Sequence, residues 1–490
     1  MISGHSRPRQ ELPELLFDLK TKGLCDIFIQ SNSDCSYYMI QSRSSSPRPR
    51  ARRGGRAIMN EPLKECQDLV ALLHTICDVY PDKPAVTVRD RGDASVTHTY
   101  YELASDSFAI AAALCERGLT GKHVAVACDN RYEGVVAFFG IVCAGGIAVL
   151  TDAQRKKEEI YDMLLRADAS ACFLSPMISE MAGFTGQVSL FRLDAEQEPV
   201  TFKEMLEHGH ELLDQGKQHI ADVKPDDVAV LTFHRQADQE SPVVQLTHRN
   251  LLSDAKAAAA VFPKAKKIFS PLSLIHAYGL TCSCLTTFLR GGELGLARGP
   301  ESLPYGMHTF GATTLICTSE IASELARRLR EAAKRADIPA DPSGNGWLAR
   351  RRQSIIDSCY LGVKKVLFDE LDTIICGCQK IDEKDLTMLK QRFGIDVLQC
   401  YAIVECSPLI SMSDPADNAP GTMGKILPCC EVKFDDEGYI YVRGECVTPG
   451  YYGNPGQIPP LYDNEGWYKT GDKGKLDEKG RLVITEQNVF

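Results

Sequence analysis

Lys122-His-Val-Ala-Val-Ala-Cys128 opens a stretch that continues as an apolar run over 132–144 and closes on Gly145-Gly146-Ile-Ala-Val-Leu150. The first run reads as a strand, the middle as a helix ended by the glycine pair, and the last as a second strand. Upstream, Leu103, Phe108, Ile110, Ala111 and Leu114 form a helical stripe, and Gly118 stands where a C-cap is expected. The same alternation recurs through 160–174, 249–296, 313–333 and 371–400. Alternating elements of this kind predict an α/β fold, with mostly parallel sheets covered by helices.

After Gly421 the texture changes. Glu431-Val-Lys-Phe, the turn Asp435-Asp-Glu-Gly438 and Tyr439-Ile-Tyr-Val-Arg443 predict a hairpin, and short strands with glycine turns continue to the end. The expected organisation is an α/β region over 59–420 and a small β-rich subdomain over 421–490. Residues 1–58 look foreign to both. Ser42-Arg-Ser-Ser-Ser-Pro-Arg-Pro-Arg-Ala-Arg-Arg-Gly-Gly-Arg56 cannot bury apolar surface, so a disordered linker or an upstream extension before a start at Met59 is expected. Glu11, Glu14 and Asp18 argue against a mitochondrial presequence.

The chain has 490 residues, 44% of them hydrophobic, and a net charge of −10. That charge gives no global reason to expect nucleic-acid binding. The sequence carries neither an apolar run of bilayer-spanning length nor a secretory start. Of nineteen cysteines, the closest pairs are Cys282/Cys284, Cys376/Cys378 and the adjacent Cys429/Cys430, and none has the two-residue gap typical of zinc ligands. Several lie in apolar segments, such as Cys172 in Ala-Cys-Phe-Leu, where a free thiol acts as a small hydrophobe. A reducing, cytoplasmic location is the expectation.

Five segments recur in a telling order: Tyr100-Tyr-Glu-Leu103, Leu246-Thr-His-Arg-Asn250, Pro271-Leu-Ser-Leu-Ile-His-Ala-Tyr-Gly279, Tyr401-Ala-Ile-Val-Glu405 and Gly466-Trp-Tyr-Lys-Thr-Gly-Asp472. Together they resemble the motif series of the adenylate-forming, AMP-binding acyl-CoA synthetases. An arginine-rich helical insert near 319–358, with Ile321, Leu325, Leu329 and Ala332 at helical spacing, is similar to bacterial long-chain fatty acyl-CoA ligases. A solvated basic helix explains the insert equally well; peripheral membrane contact is the minority reading.

The resemblance implies carboxylate activation. A fatty acid or other carboxylate attacks the α-phosphorus of ATP, pyrophosphate leaves, and the thiol of CoA then displaces AMP. By resemblance Tyr401 stacks on adenine, Asp472 accepts from the ribose hydroxyls, and Glu405 holds Mg2+ and serves catalysis. Gly377-Cys378-Gln379 joins Tyr401 at strand carboxyl ends, where open α/β sheets bind ligands. His276 matches a position near the acyl site, with a buried structural histidine as its competitor.

Two departures mark this chain. The window matching the family's glycine-rich phosphate loop is Phe233-His-Arg-Gln-Ala-Asp-Gln-Glu-Ser-Pro-Val243, without any glycine or the lysine. His234 and Arg235 compensate poorly, while Asp238 and Glu240 place negative charge where a triphosphate would lie. Val404 also replaces the threonine beside the α-phosphate. At the C-terminus Ile484-Thr-Glu-Gln-Asn-Val-Phe490 carries Gln487 in place of the hinge arginine. The family's mobile C-terminal domain is therefore expected to be absent, or supplied as a separate chain, with an acyl carrier protein as another conceivable partner. An impaired ligase and a non-catalytic protein binding nucleotide, acyl group or partner are the two expectations.

Overall fold

The strand His123–Cys128 pairs in parallel with Ile147–Asp152, and the helix Tyr132–Cys143 crosses between them. Val124, Ala125, Val126 and Ala127 are all buried, which is why this strand shows a continuous apolar run and no alternation. The crossover helix is buried at every residue except Glu133, and Phe139 packs against Phe288 from a distant segment. Fully burying a side chain of that size contributes about 1.5–3 kcal/mol. The computed structural model describes residues 59–89, 95–175, 178, 188–193, 200–217, 220–233, 242–262, 267–274, 276–297, 303–336, 338, 347–377, 381–453 and 462–487.

Three sheets organise these residues. The seven-stranded sheet contains the βαβ unit just described and runs Tyr451–Tyr452, Val243–Thr247, Val228–Thr232, Ile147–Asp152, His123–Cys128, Ala171–Leu174, Ser189–Arg192. From Val228–Thr232 onward its strands are parallel; the first two pair antiparallel. The nine-stranded sheet runs Lys425–Ile426, Leu409–Met412, Asp396–Ala402, Thr373–Gly377, Thr314–Thr318, Lys267–Ser270, Glu293–Leu296, Pro84–Arg89, Ser95–Thr99. Its central strands are parallel, and antiparallel pairs close both edges. The third sheet is small and antiparallel: Cys430–Phe434, Tyr439–Gly444, Tyr468–Leu476, Leu482–Glu486. Its first two strands are the hairpin expected after Gly421.

Local chemistry sets the helix starts. Thr99 and Glu102 form a reciprocal capping box on the helix Tyr100–Glu116, and Thr201 with Glu204 does the same on Phe202–Asp214. Asp382 caps Glu383–Phe393, and Gly394 ends that helix in the left-handed conformation. The basic insert begins with the helix Ser319–Arg335, which buries Leu325, Leu329 and Ala332 and leaves Ile321 at the margin. Three of its arginines are engaged by carboxylates: Arg327 and Arg328 both meet Glu324 at 2.6 Å, and Arg330 pairs with Asp385. The helix Trp347–Phe368 completes the insert. Among the described residues no helix is long and apolar enough to cross a membrane. No disulfide joins the described cysteines, most of which are buried.

Candidate active site

Two parallel strands bring the predicted nucleotide residues to one edge. Thr373–Gly377 and Asp396–Ala402 lie side by side, so Gly377 and Tyr401 both stand at strand carboxyl ends. Gly377 lies close to its neighbour there: a Cβ would meet Cys400 Sγ at 2.9 Å, so a larger residue needs that thiol to shift. Its carbonyl accepts from the Ser319 hydroxyl at 3.0 Å. Cys378 and Gln379 lie outside the described residues, as do His234, Arg235, Asp238 and Glu240 of the phosphate-loop window.

Tyr401 is only 2% exposed and Asp472 3%, and the tyrosine hydroxyl donates to Asp472 Oδ2 at 2.5 Å. Burial, and next to it the charge of Asp472, pushes the Tyr401 hydroxyl far above its ordinary range, so the phenol stays protonated and donates. Asp472 reaches this position from the long strand Tyr468–Leu476 of the small sheet, where its N–H donates to the Thr470 hydroxyl at 3.1 Å. The Thr470-Gly471-Asp472 segment is thus a backbone device that aims one carboxylate at the end of another sheet.

Glu405 sits on the short turn Val404–Cys406 directly after the Tyr401 strand. It is 4% exposed, its Oε1 accepts from the Tyr451 hydroxyl at 3.1 Å, and its carbonyl accepts from Thr448 N–H at 2.7 Å. Tyr451 escaped the sequence reading; it comes from the edge strand of the seven-stranded sheet, and no local pattern points to it. These oxygens are hard donors, and a buried carboxylate beside a hydroxyl fits Mg2+, which takes few protein carboxylates and completes its shell with phosphate and water.

The segment 271–279 approaches the same strand end. Tyr278 Oη lies 3.1 Å from Cys400 Sγ, and just beyond it the Thr281 hydroxyl donates to the Ser407 carbonyl at 2.7 Å. Gly279 permits the close turn, because a Cβ would stand 2.2 Å from the Ser273 carbonyl oxygen. His276, half-buried, has Nε2 3.6 Å from Asp152 Oδ2 at the end of a strand in the other large sheet. Burial works against the Asp152 charge, but the His276 contact and the Gln154 N–H hold its carboxyl below the usual range.

The Leu246–Asn250 segment proves architectural in its contacts. Thr247 caps the helix His248–Val261, and the Asn250 amide donates to the carbonyls of Glu445 and Val447 at 2.7 and 2.9 Å. His248 is buried and accepts the Leu69 N–H on Nδ1 at 3.3 Å, and burial lowers its pKa to about 4. The segment therefore links the strand Val243–Thr247 to the stretch that carries Thr448 and Tyr451.

The AMP-binding enzyme family matches this sequence over residues 73–452, the greater part of the chain. The chain belongs to that family. Among curated AMP-binding relatives, long-chain-fatty-acid–CoA ligase FadD15 of Mycobacterium tuberculosis is 23% identical over 416 residues, covering 79% of this chain and 69% of that protein. The long-chain-fatty-acid–CoA ligase of Salmonella typhimurium is 24% identical over 472 residues, 86% of this chain and 77% of its own length. A long-chain-fatty-acid-CoA ligase from Archaeoglobus fulgidus shares the fold with a TM-score of 0.70 at 16% identity, covering 86% of this chain and 84% of that one. O-succinylbenzoate Coenzyme A Synthetase from Bacillus subtilis, solved in complex with AMP, gives 0.66 at 19% identity, covering 85% and 78%. At such identities the solved structures establish the fold. The AMP-binding, acyl-CoA synthetase-like character of the chain rests on the family match and the curated relatives.

Proposed function

We propose that this chain is a fatty acyl-CoA ligase-like protein that keeps the adenosine end of a nucleotide site, while its weakened triphosphate end slows or abolishes carboxylate activation. The observation that carries the reading is the Tyr401–Asp472 pair at the carboxyl ends of parallel strands. In this proposal the Tyr401 ring faces adenine, and the Asp472 carboxylate exchanges the tyrosine hydroxyl for ribose hydroxyls, which are donors of the same kind. Gly377 would border the nucleotide at the neighbouring strand end, with Cys378 and Gln379 following it in sequence as further nucleotide contacts, and His276 would border the acyl side. Glu405 would hold Mg2+, which when bound neutralises phosphate charge.

The phosphate-loop window supports impairment. Bare glycine amides curl around phosphate oxygens, whereas Phe233–Val243 has none to offer and contributes Asp238 and Glu240 instead. Loss of a single preorganised donor costs about 10²–10³ in rate, so losing several costs orders of magnitude more. The same acidic window favours a second reading, a non-catalytic protein that binds nucleotide or an acyl group.

Calorimetry with AMP and with ATP in Mg2+ tests the proposal, with AMP expected to bind more tightly. ATP binding clearly tighter than AMP would overturn it. Pyrophosphate release on adding ATP and a long-chain fatty acid separates the two readings: slow release marks the impaired ligase, and binding with no release marks the non-catalytic protein.

A further inference from the structure

Cys429, Cys430 and Cys446 place their three sulfurs within 4.8 Å of one another. Cys429 precedes the hairpin strand Cys430–Phe434, and Cys446 follows its partner strand Tyr439–Gly444, so the antiparallel pairing closes the ring of thiols. Cys406 packs beside Cys446 from the turn that carries Glu405. On the opposite side stands Asp254, from the helix His248–Val261. It is fully buried, with Oδ2 accepting the Leu409 N–H at 3.0 Å and Oδ1 facing Cys429 Sγ at 3.8 Å. Among the described residues no lysine, arginine or histidine pairs with that carboxylate. A carboxylate buried without a cationic partner is expensive to keep ionised, and here the group is kept beside the Cys429 thiol.

We propose that Cys429, Cys430, Cys446 and Asp254 bind one tetrahedral, borderline-soft divalent cation of the zinc class. Three sulfurs and one oxygen from four chain positions match the donor type and number such a cation takes in closed structural sites. Zinc–sulfur bonds of about 2.3 Å put tetrahedral sulfurs about 3.8 Å apart, so the three thiols close with shifts of about 1 Å or less, while Asp254, whose Oδ1 lies 3.8 Å from Cys429 Sγ but outside the 4.8 Å thiol group, moves further to complete the shell. The Leu409 N–H already fixes the second carboxylate oxygen, the outer-shell support such sites use. Thiol and carboxyl groups ligate such a cation in their deprotonated form, so each ligating group gives its proton to solvent as the cation enters. The cation would tie the small antiparallel sheet to the helix His248–Val261 and hence to the body of the molecule. The inference is independent of the nucleotide reading, since none of its ligands belongs to that site.

The test uses the full chain, reduced, stripped with chelator and titrated with Co2+ and then Zn2+. We expect one equivalent of cobalt to bind with a thiolate-to-cobalt charge-transfer band, and one equivalent of zinc to displace it. Cys446→Ser and Cys430→Ser should weaken uptake at least about tenfold, whereas Cys77→Ser, on the remote helix Leu69–Val79, should leave it unchanged. A wild-type spectrum without charge transfer overturns the proposal whatever the variants do. So does a disulfide between Cys446 and Cys429 or Cys430 found by peptide mapping of protein purified without reductant. Equal loss in Cys77→Ser would also refute it, by showing that uptake follows general thiol content.

Discussion

The Tyr401 hydroxyl and the Asp472 carboxylate are joined at 2.5 Å although 71 residues separate them in the chain. One comes from a parallel strand of the large sheet, the other from the small antiparallel sheet. The carboxylate proposed to receive a ribose is thus already satisfied in the free protein, and nucleotide entry is an exchange of donors. Such an exchange gains less than binding to an open carboxylate, because the bond to be broken is itself charge-assisted.

Tyr401→Phe separates the two roles of that side chain. The free protein should lose about 1.5–3 kcal/mol, the usual cost of removing a bond to a buried charge, measured by denaturant unfolding. AMP affinity should hold or rise, since the ring remains and the competing hydroxyl is gone. A large fall in AMP affinity in this variant would show that the hydroxyl itself contacts the nucleotide. Asp472→Ala should instead abolish AMP binding.

Glu240→Ala addresses the phosphate-loop window. Removing one negative charge near bound phosphates should strengthen ATP binding, by on the order of a few kcal/mol if the charge lies at contact distance. The gain should shrink as salt is raised, because exposed charges are screened within about 10 Å at 0.1 M. AMP binding should barely change. An ATP affinity identical to wild type at low salt would place the triphosphate elsewhere.

Gly279→Ala forces a methyl group to within 2.2 Å of the Ser273 carbonyl oxygen, a backbone atom that cannot swing away. The expected cost is about 1–3 kcal/mol, typical of overpacking. It should appear as a lower urea midpoint. An unchanged midpoint would mean that the 273–279 turn relaxes freely, and that it does not hold His276 in place.

His248 gives the stability a pH dependence of known sign. Burial lowers its pKa from 6.5 to about 4 in the folded chain. Between those values the unfolded chain binds a proton that the folded chain refuses, so stability falls as the pH drops from 6.5 towards 4 and is insensitive to this group above 6.5. The full effect is about 3 kcal/mol. In His248→Gln the packing loss is the same at every pH, so the difference from wild type should narrow by roughly that amount between pH 7 and pH 4. A constant difference across that range would contradict a neutral, buried His248.

Much of this architecture is written locally. The run over 123–128, the glycine pair at 145–146 and the cap residues Thr99, Glu102 and Asp382 each act on neighbours within a turn or a strand, so the βαβ units and their limits are legible from the sequence. Tyr401 and Gly377 could be assigned to strand ends for the same reason.

Other features belong to the tertiary structure alone. Which sheet a strand joins, the reach of Asn250 to the 445–447 backbone, the meeting of Tyr451 with Glu405, and the gathering of Cys446 with Cys429 and Cys430 are all long-range outcomes. The cysteine spacing carried no zinc signature because the hairpin register, not the interval between residues, brings those thiols together. Periodicity and capping report interactions between near neighbours along the chain. Contacts across the fold depend on how complete sheets and helices bury one another's apolar faces, and that is settled only when the whole core is packed.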